Sequence, residues 1–305
     1  MLMAFGAPET ERDVAAFLGN VTRGRPIPAA RLKEVEAHYR AVGGGSPLNA
    51  LTARQAEALR VGLEREGASI PVAVGMRHWP PFIRDTLADL ADGGARRVLG
   101  LIMASFESDA SRRAYCRAVE KARAELGKRA PKMAYTPALC ESRGFAVANQ
   151  ARVVEAMRGL GEAEIEHTTL LFTAHSLLVS GEEAEGYARQ LERCAGEIAR
   201  GVGHQRYAVA YQSRSGAPAE RWLEPDVGVV IRAEAERGTR CLVVSPVGFV
   251  CDNLEVLYDL DIEAREKATA WGLELRRAAT VNDHPAFIEG LVRLVLEHRT
   301  GATSV

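Results

Sequence analysis

A histidine and a line of carboxylates carry the chemistry open to this chain. His175 follows an apolar run in LLFTAHSLL, and a neutral imidazole there can take a proton or ligate a metal. Downstream, CLVVSPVGFVCDNLEVLYDLDIE passes from a strand pattern into a helix pattern that carries Glu255, Asp259 and Glu263 four residues apart. Residues at that spacing share one helix face, and like charges there repel. Such a stripe is tolerable where it is solvated, holds a cation or handles protons. Both features fall at the C-terminal ends of predicted strands, where open α/β sheets keep their ligands. Each also has a plainer account. A lone histidine beside an apolar strand is commonly structural, and Asp252-Asn253-Leu254-Glu255 has the D-x-x-E pattern of a capping box. The box would explain Asp252 and Glu255 but not the two acids that continue the row.

The elements that must position these groups alternate along the chain. Short apolar runs occur at residues 2–5, in IPVAVGM, RVLGLIMASF, TLLFTAHS, YAVAYQS and CLVVSPVGFV. Between them lie amphipathic stretches, among them AARLKEVEAHYRAV, ARQAEALRVGLEREG, RRAYCRAVEKARAELG and EAEGYARQLERCAGEIARGVG, and HPAFIEGLVRLVLEHR closes the pattern. This alternation predicts parallel sheets covered on both faces. The two halves also read as weak repeats. VAVGMRHWPPF…RVLGLIMASF parallels AVAYQSRSGAPAERW…CLVVSPVGFV, and the start of the chain parallels the LLFTAHSLLVS segment. The expected fold is therefore α/β, with two doubly wound, Rossmann-like lobes related by pseudo-symmetry and a ligand cleft between them. The lobes are placed at residues 1–145 and 146–305, with the boundary inside 135–165. The last helix is free to pack back on the first lobe.

Composition excludes several classes. Hydrophobic residues make up 47% and charged residues 26% of 305, as in ordinary globular proteins. A net charge of −1, from 39 basic and 40 acidic side chains, provides no field for nucleic acid. No apolar run reaches the roughly 20 residues of a membrane span, and MLMAFGAP lacks the basic leader of a signal peptide. The five cysteines are scattered with no C-x-x-C pair, which argues against structural zinc or an iron–sulfur cluster and suits a reducing cytoplasm. Cys251 lies near the candidate site, and a buried inert thiol is its expected state. Two loops offer ligand contacts. NVTRGRPIP brings Arg23 and Arg25, suited to carboxylates, and AVGGGSPLNALT brings Ser46 beside exposed backbone N–H groups. Trp222 follows a Gly/Pro/Ser-rich loop and could stack on a flat ligand.

Taken in order, MAFGAPET with VTRGRP, HYRAVGGGSPLNALT, GMRHWPPF, the AHS turn, YQS with RWLEPDV, SPVGFVCDNLEVLYDLDIE and NDHPAFIEGLVRLV resemble the ferrochelatases, which insert ferrous iron into a porphyrin. The resemblance covers nearly the whole chain, and PVGFV…LEVLYDLD is its most specific part. It implies that His175 is the catalytic histidine and Glu255 the carboxylate facing it across the porphyrin. Asp259 and Glu263 would extend an acidic row that leads metal or protons, so all four are candidate metal contacts. It further implies that Phe5, Arg23, Ser46, Trp222 and Ser105, the last in the turn 103–106, contact substrate. Leu178 with VSGEEAEGY, Asn253 and MASFESDAS depart from the family's usual segments. The implied partners are a porphyrin and ferrous iron, as substrates rather than resident cofactors, for a cytoplasmic monomer. Two other functions share these residues: a porphyrin or haem carrier without turnover, and a chelatase for another tetrapyrrole.

Overall fold

A computed structural model describes residues 1–179, 181–214 and 220–300. The chain divides into two units, one formed by Met1–Gly144 and the chain from Asn282 onward, the other by Phe145–Val281. The closing helix thus counts with the first unit, although its sequence follows the second.

In the first unit the strands are β1 (Leu2–Ala4), β2 (Val74–Met76), β3 (Arg97–Ile102) and β4 (Lys132–Tyr135). They form a parallel sheet in the order β2-β1-β3-β4. Around it run α1 (Val14–Thr22), α2 (Ala29–Ala41), α3 (Leu48–Arg65), α4 (Ile83–Asp92) and α5 (Ala114–Leu126). The core on one face joins Met1, Met3 and Val98 to Ile83, Leu87 and Val119 of the helices.

The second unit begins within α6 (Arg143–Met157), followed by the short α7 (Glu162–Glu166). Its strands are β5 (Thr168–His175), β6 (Tyr207–Gln212), β7 (Cys241–Ser245) and β8 (Glu274–Arg277). They are again parallel, in the order β6-β5-β7-β8. The remaining helices are α8 (Gly181–Gly201), α9 (Val227–Glu236), α10 (Leu254–Tyr258) and α11 (Arg265–Ala270), while α12 (Pro285–Thr300) belongs to the first unit and packs on α3. Relative to its own first strand, each unit has the order second, first, third, fourth, the topology expected of a repeated doubly wound module.

The central position of β5 explains its composition. All of its residues except His175 are buried, so both faces must be apolar or internally bonded. Helix α8 shows the complementary helical pattern, burying Tyr187, Leu191, Cys194 and Ile198 at three- and four-residue spacing. Two of the four edge strands, KMAY of β4 and ELRR of β8, lie outside the expected runs, whereas the opposite edges β2 and β6 fall within them. At most one residue of β4 or of β8 is buried, so neither carries a buried apolar run. No helix among the described residues is long and apolar enough to cross a membrane.

Candidate active site

His175 ends β5, and its register partner on β6 is Gln212. Its Nδ1 lies 2.5 Å from the Ser176 carbonyl, which turns Nε2 towards Glu255. Nε2 and Glu255 Oε1 are 3.5 Å apart, a close ion pair without a tight hydrogen bond. Burial lowers the pKa of the imidazole, but the Glu255 charge and its bond, the Ser176 carbonyl and Asp259 outweigh it and push the pKa up to about 9. At neutral pH the resting imidazole is therefore protonated.

The loop before α10 sets this geometry. Gly248 lies against β5, and its N–H donates to the Thr173 carbonyl at 2.9 Å. A Cβ at Gly248 would lie 2.5 Å from Ala174 Cα, so only glycine allows the loop to pass so near the histidine's strand. Arg277 of β8 then anchors both flanks of the acidic helix. Its Nη1 donates to Asp252 at 3.1 Å and its Nε to Asp261 at 2.7 Å, with its side chain only 13% exposed.

The capping-box account of Glu255 fails on this geometry. The cap of α10 is Asn253, whose Oδ1 accepts from the N–H groups of Glu255 (2.9 Å) and Val256 (3.2 Å). Asp252 is occupied with Arg277, and Glu255 stands at the second helical position rather than the third, so its carboxylate is left to face His175. Asn253→Ala is therefore expected to destabilise the protein by about 1 kcal/mol, while Glu255→Ala leaves the cap intact. Denaturant unfolding of the two variants would check this, and a larger loss in the Glu255 variant would restore the capping role.

The acidic row does not lie on one uniform α-helix. After α10 the residues Asp259–Ala264 form a π-helical turn, which passes into α11. Asp259 accepts a hydrogen bond from the Ser213 hydroxyl, a contact the sequence reading missed. Ser213 follows β6 with φ of +62°, in the left-handed region that non-glycine residues seldom adopt. Burial raises the Asp259 pKa and the Ser213 bond opposes it. Glu255 and Glu263 add to the rise and His175 opposes it, for a result of about 7. Glu263 lies 4.0 Å from Lys267. Among the described residues no group of three or more His, Cys, Asp or Glu side chains is gathered closely enough to hold a metal ion, so the row is a line rather than a cage.

The sign of the Asp259 shift gives a test. A folded pKa above the unfolded one means that the native state keeps a proton the unfolded chain loses, so this group costs stability as pH rises from about 4 to about 7. Asp259→Asn should be more stable than wild type at pH 8 by ~1–3 kcal/mol, with the gap closing towards pH 4. Thermal melts across that range would measure it, and a gap independent of pH would contradict the assignment.

Trp222 is held by a short antiparallel bridge to Leu178. Val179 N–H donates to Arg221 and Leu223 N–H to Leu177, while the Ser176 hydroxyl donates to the Leu223 carbonyl. The chain just after His175 is thus tied to the tryptophan's segment. Residues 215–219 of the preceding loop lie outside the described residues.

The other predicted contacts belong to the first unit. Phe5 follows β1 and is 40% exposed, with its ring 4.5 Å from that of His78 and 5.6 Å from the Arg77 guanidinium. Arg23 caps α1 with φ of +55° and is exposed. Arg25 folds back so that its Nε donates to the Thr22 carbonyl. Ser46 is buried, and its hydroxyl accepts from the Leu48 N–H at 3.4 Å, so its visible role is local. Gly45 lets this loop pass within contact of Glu9, where a Cβ would lie 2.0 Å from the carbonyl oxygen. Ser105 is 1% exposed. None of the five cysteines forms a disulfide, and Cys251 is buried.

The ferrochelatase family model matches residues 1–299. The chain belongs to the ferrochelatase family. A coproporphyrin III ferrochelatase of Mycobacteroides abscessus is 38% identical over 301 residues, covering 97% of this chain and 87% of the relative. A ferrochelatase of Rhodopirellula baltica is 35% identical, covering 97% and 85%. Among solved structures, SirB from Bacillus subtilis with Fe3+ aligns with a TM-score of 0.59 at 14% identity, covering 82% of this chain and 90% of that one. CbiX, described as the terminal enzyme for biosynthesis of siroheme in denitrifying bacteria, aligns at 0.55 and 18% identity, covering 97% of each. At such low identity these two likenesses show the α/β fold alone.

Proposed function

We propose that this protein inserts ferrous iron into a porphyrin, with coproporphyrin III as substrate. The observation that carries this is the His175–Glu255 pair at the end of β5, backed by an Asp259 carboxyl that titrates near neutrality. A free-base porphyrin must lose two pyrrole protons as the divalent metal enters. An imidazolium cannot accept the first of them, so His175 must first hand its own proton on. Glu255 is within reach of that proton, and Asp259, half-protonated near pH 7, can both take and give one. The same carboxylates attract the incoming Fe2+, and the line continues to Glu263. Phe5 and Trp222 are proposed apolar contacts of the macrocycle, and Arg23 is a proposed partner of a propionate. A site that fits a bent ring better than a flat one lowers the barrier to metal entry. Ser46 and Ser105 complete the proposed set of substrate contacts.

Coproporphyrin is favoured over protoporphyrin because several relatives are named for it and because the exposed Arg23 suits a substrate richer in carboxylates. The scattered cysteines, none of them in a disulfide, support a cytoplasmic enzyme, and we take it to act as a monomer. Anaerobic Fe2+ insertion into both porphyrins tests the reading. The expected result is turnover with a kcat/KM for coproporphyrin III at least about tenfold above that for protoporphyrin IX, the scale of one added charge-assisted contact. Tight binding of either porphyrin with no metal insertion would point to a carrier instead.

A further inference from the structure

The end of β6 grips the acidic helix at two points one turn apart. Gln212 is 3% exposed and level with His175 in the sheet. Its Nε2 donates to the Glu255 carbonyl at 2.9 Å, an oxygen that also accepts the Asp259 N–H. Ser213, held in the left-handed region, donates its hydroxyl to the Asp259 carboxylate. The residue pair at the end of the strand therefore fixes the backbone at the start of the row and a side chain one turn later.

The carboxamide's orientation is set by this contact, because a flipped amide would bring two oxygens together. That leaves Gln212 Oε1 buried without a protein partner. Thr173 Oγ1, on a fully buried residue two positions before His175, lacks one as well. Strand side chains alternate, so Thr173 and His175 point to one face of the sheet, and the register places Ala210 and Gln212 on the same face. There Leu171 and Ala210 pack with Ile231 of α9 and with Val256 of α10. An aliphatic side chain would fill this space without an open acceptor. What the carboxamide adds is a fixed anchor for residue 255 and, with Thr173, two polar atoms able to hold a water.

We propose that Gln212 is a positioning residue for metal insertion. Its carboxamide clamps the backbone of Glu255 so that the carboxylate faces His175, and a buried water shared between Gln212 Oε1 and Thr173 Oγ1 keeps the carboxamide turned that way. The proposal rests on the chelatase reading above. It acts on kcat rather than on porphyrin binding, because Gln212 is buried and bonds the backbone of the acidic helix.

The test compares the full-length wild type with Gln212→Met and Thr173→Val in anaerobic Fe2+ insertion into coproporphyrin III, with a crystal structure of each. Gln212→Met is expected to lower kcat roughly ten- to a hundredfold, the penalty of a misplaced catalytic group, while KM for the porphyrin moves less than about twofold. Its crystal structure should show Glu255 displaced from His175. Thr173→Val, nearly isosteric, should lower kcat by roughly three- to tenfold, and wild-type crystals should show the water on both atoms. Unchanged kcat in folded Gln212→Met, or a loss confined to KM, would overturn the clamp. Should Gln212→Met not fold, Gln212→Asn, too short to reach the carbonyl, takes its place with the same expectations. A wild type that inserts no iron overturns the chelatase reading instead, and the clamp is then decided by whether Glu255 moves in the variant crystals.

Discussion

His175→Ala should leave a folded protein whose metal insertion falls at least ~10³-fold, the upper part of the range for loss of one acid–base group. The imidazole is one member of an ion pair and sits at the edge of the core, so the substitution opens little space. Its side chain is 30% exposed and Glu255 is 42% exposed, which limits the pair's contribution to stability to about 1 kcal/mol or less. That contribution has a pH signature. The folded pKa of about 9 lies above the unfolded value of 6.5, so the pair stabilises fully below pH 6.5 and its share is lost as pH rises through 9. The stability gap between wild type and His175→Ala should accordingly shrink between those limits. Anaerobic insertion assays beside thermal melts at several pH values would measure both effects. Near-normal insertion by a folded variant would remove His175 from the chemistry.

Glu255→Gln should be almost as damaging, lowering turnover by ~10²–10³-fold with little change in stability. Asn253 caps the helix and Gln212 bonds the residue 255 carbonyl, and neither contact uses the Glu255 carboxylate. The carboxylate is also the largest influence that raises the His175 pKa against burial. Its neutralisation should bring the imidazole pKa down, and NMR titration of His175 would register the change. Full turnover, or an unmoved His175 titration, would show that the carboxylate acts elsewhere.

The central strands were legible because burial on both faces writes an unbroken apolar run, as in TLLFTA and CLVVS. The long helices were legible because each buries one stripe. The strands KMAY and ELRR were not, since at most one residue of each is buried and neither carries a buried apolar run. Helix α6 fell inside the span 135–165 reserved for a boundary, and its apolar residues follow no clear amphipathic period.

At the candidate site the sequence by itself determined the chemical groups. It placed an imidazole at the end of one strand and three carboxylates four residues apart after another, because strand-end position and helical spacing are local properties. The tertiary structure decided what those groups do to one another. The D-x-x-E pattern suited a cap, but Arg277, brought by a strand 25 residues beyond Asp252, claims Asp252 and leaves the cap to Asn253. No local signal marks Gln212 or Ser213 as partners of residues 43 and 46 positions away. The protonation states follow the same rule, because burial and charge at close range are set by the folded arrangement of β5, β6 and α10 rather than by any one segment.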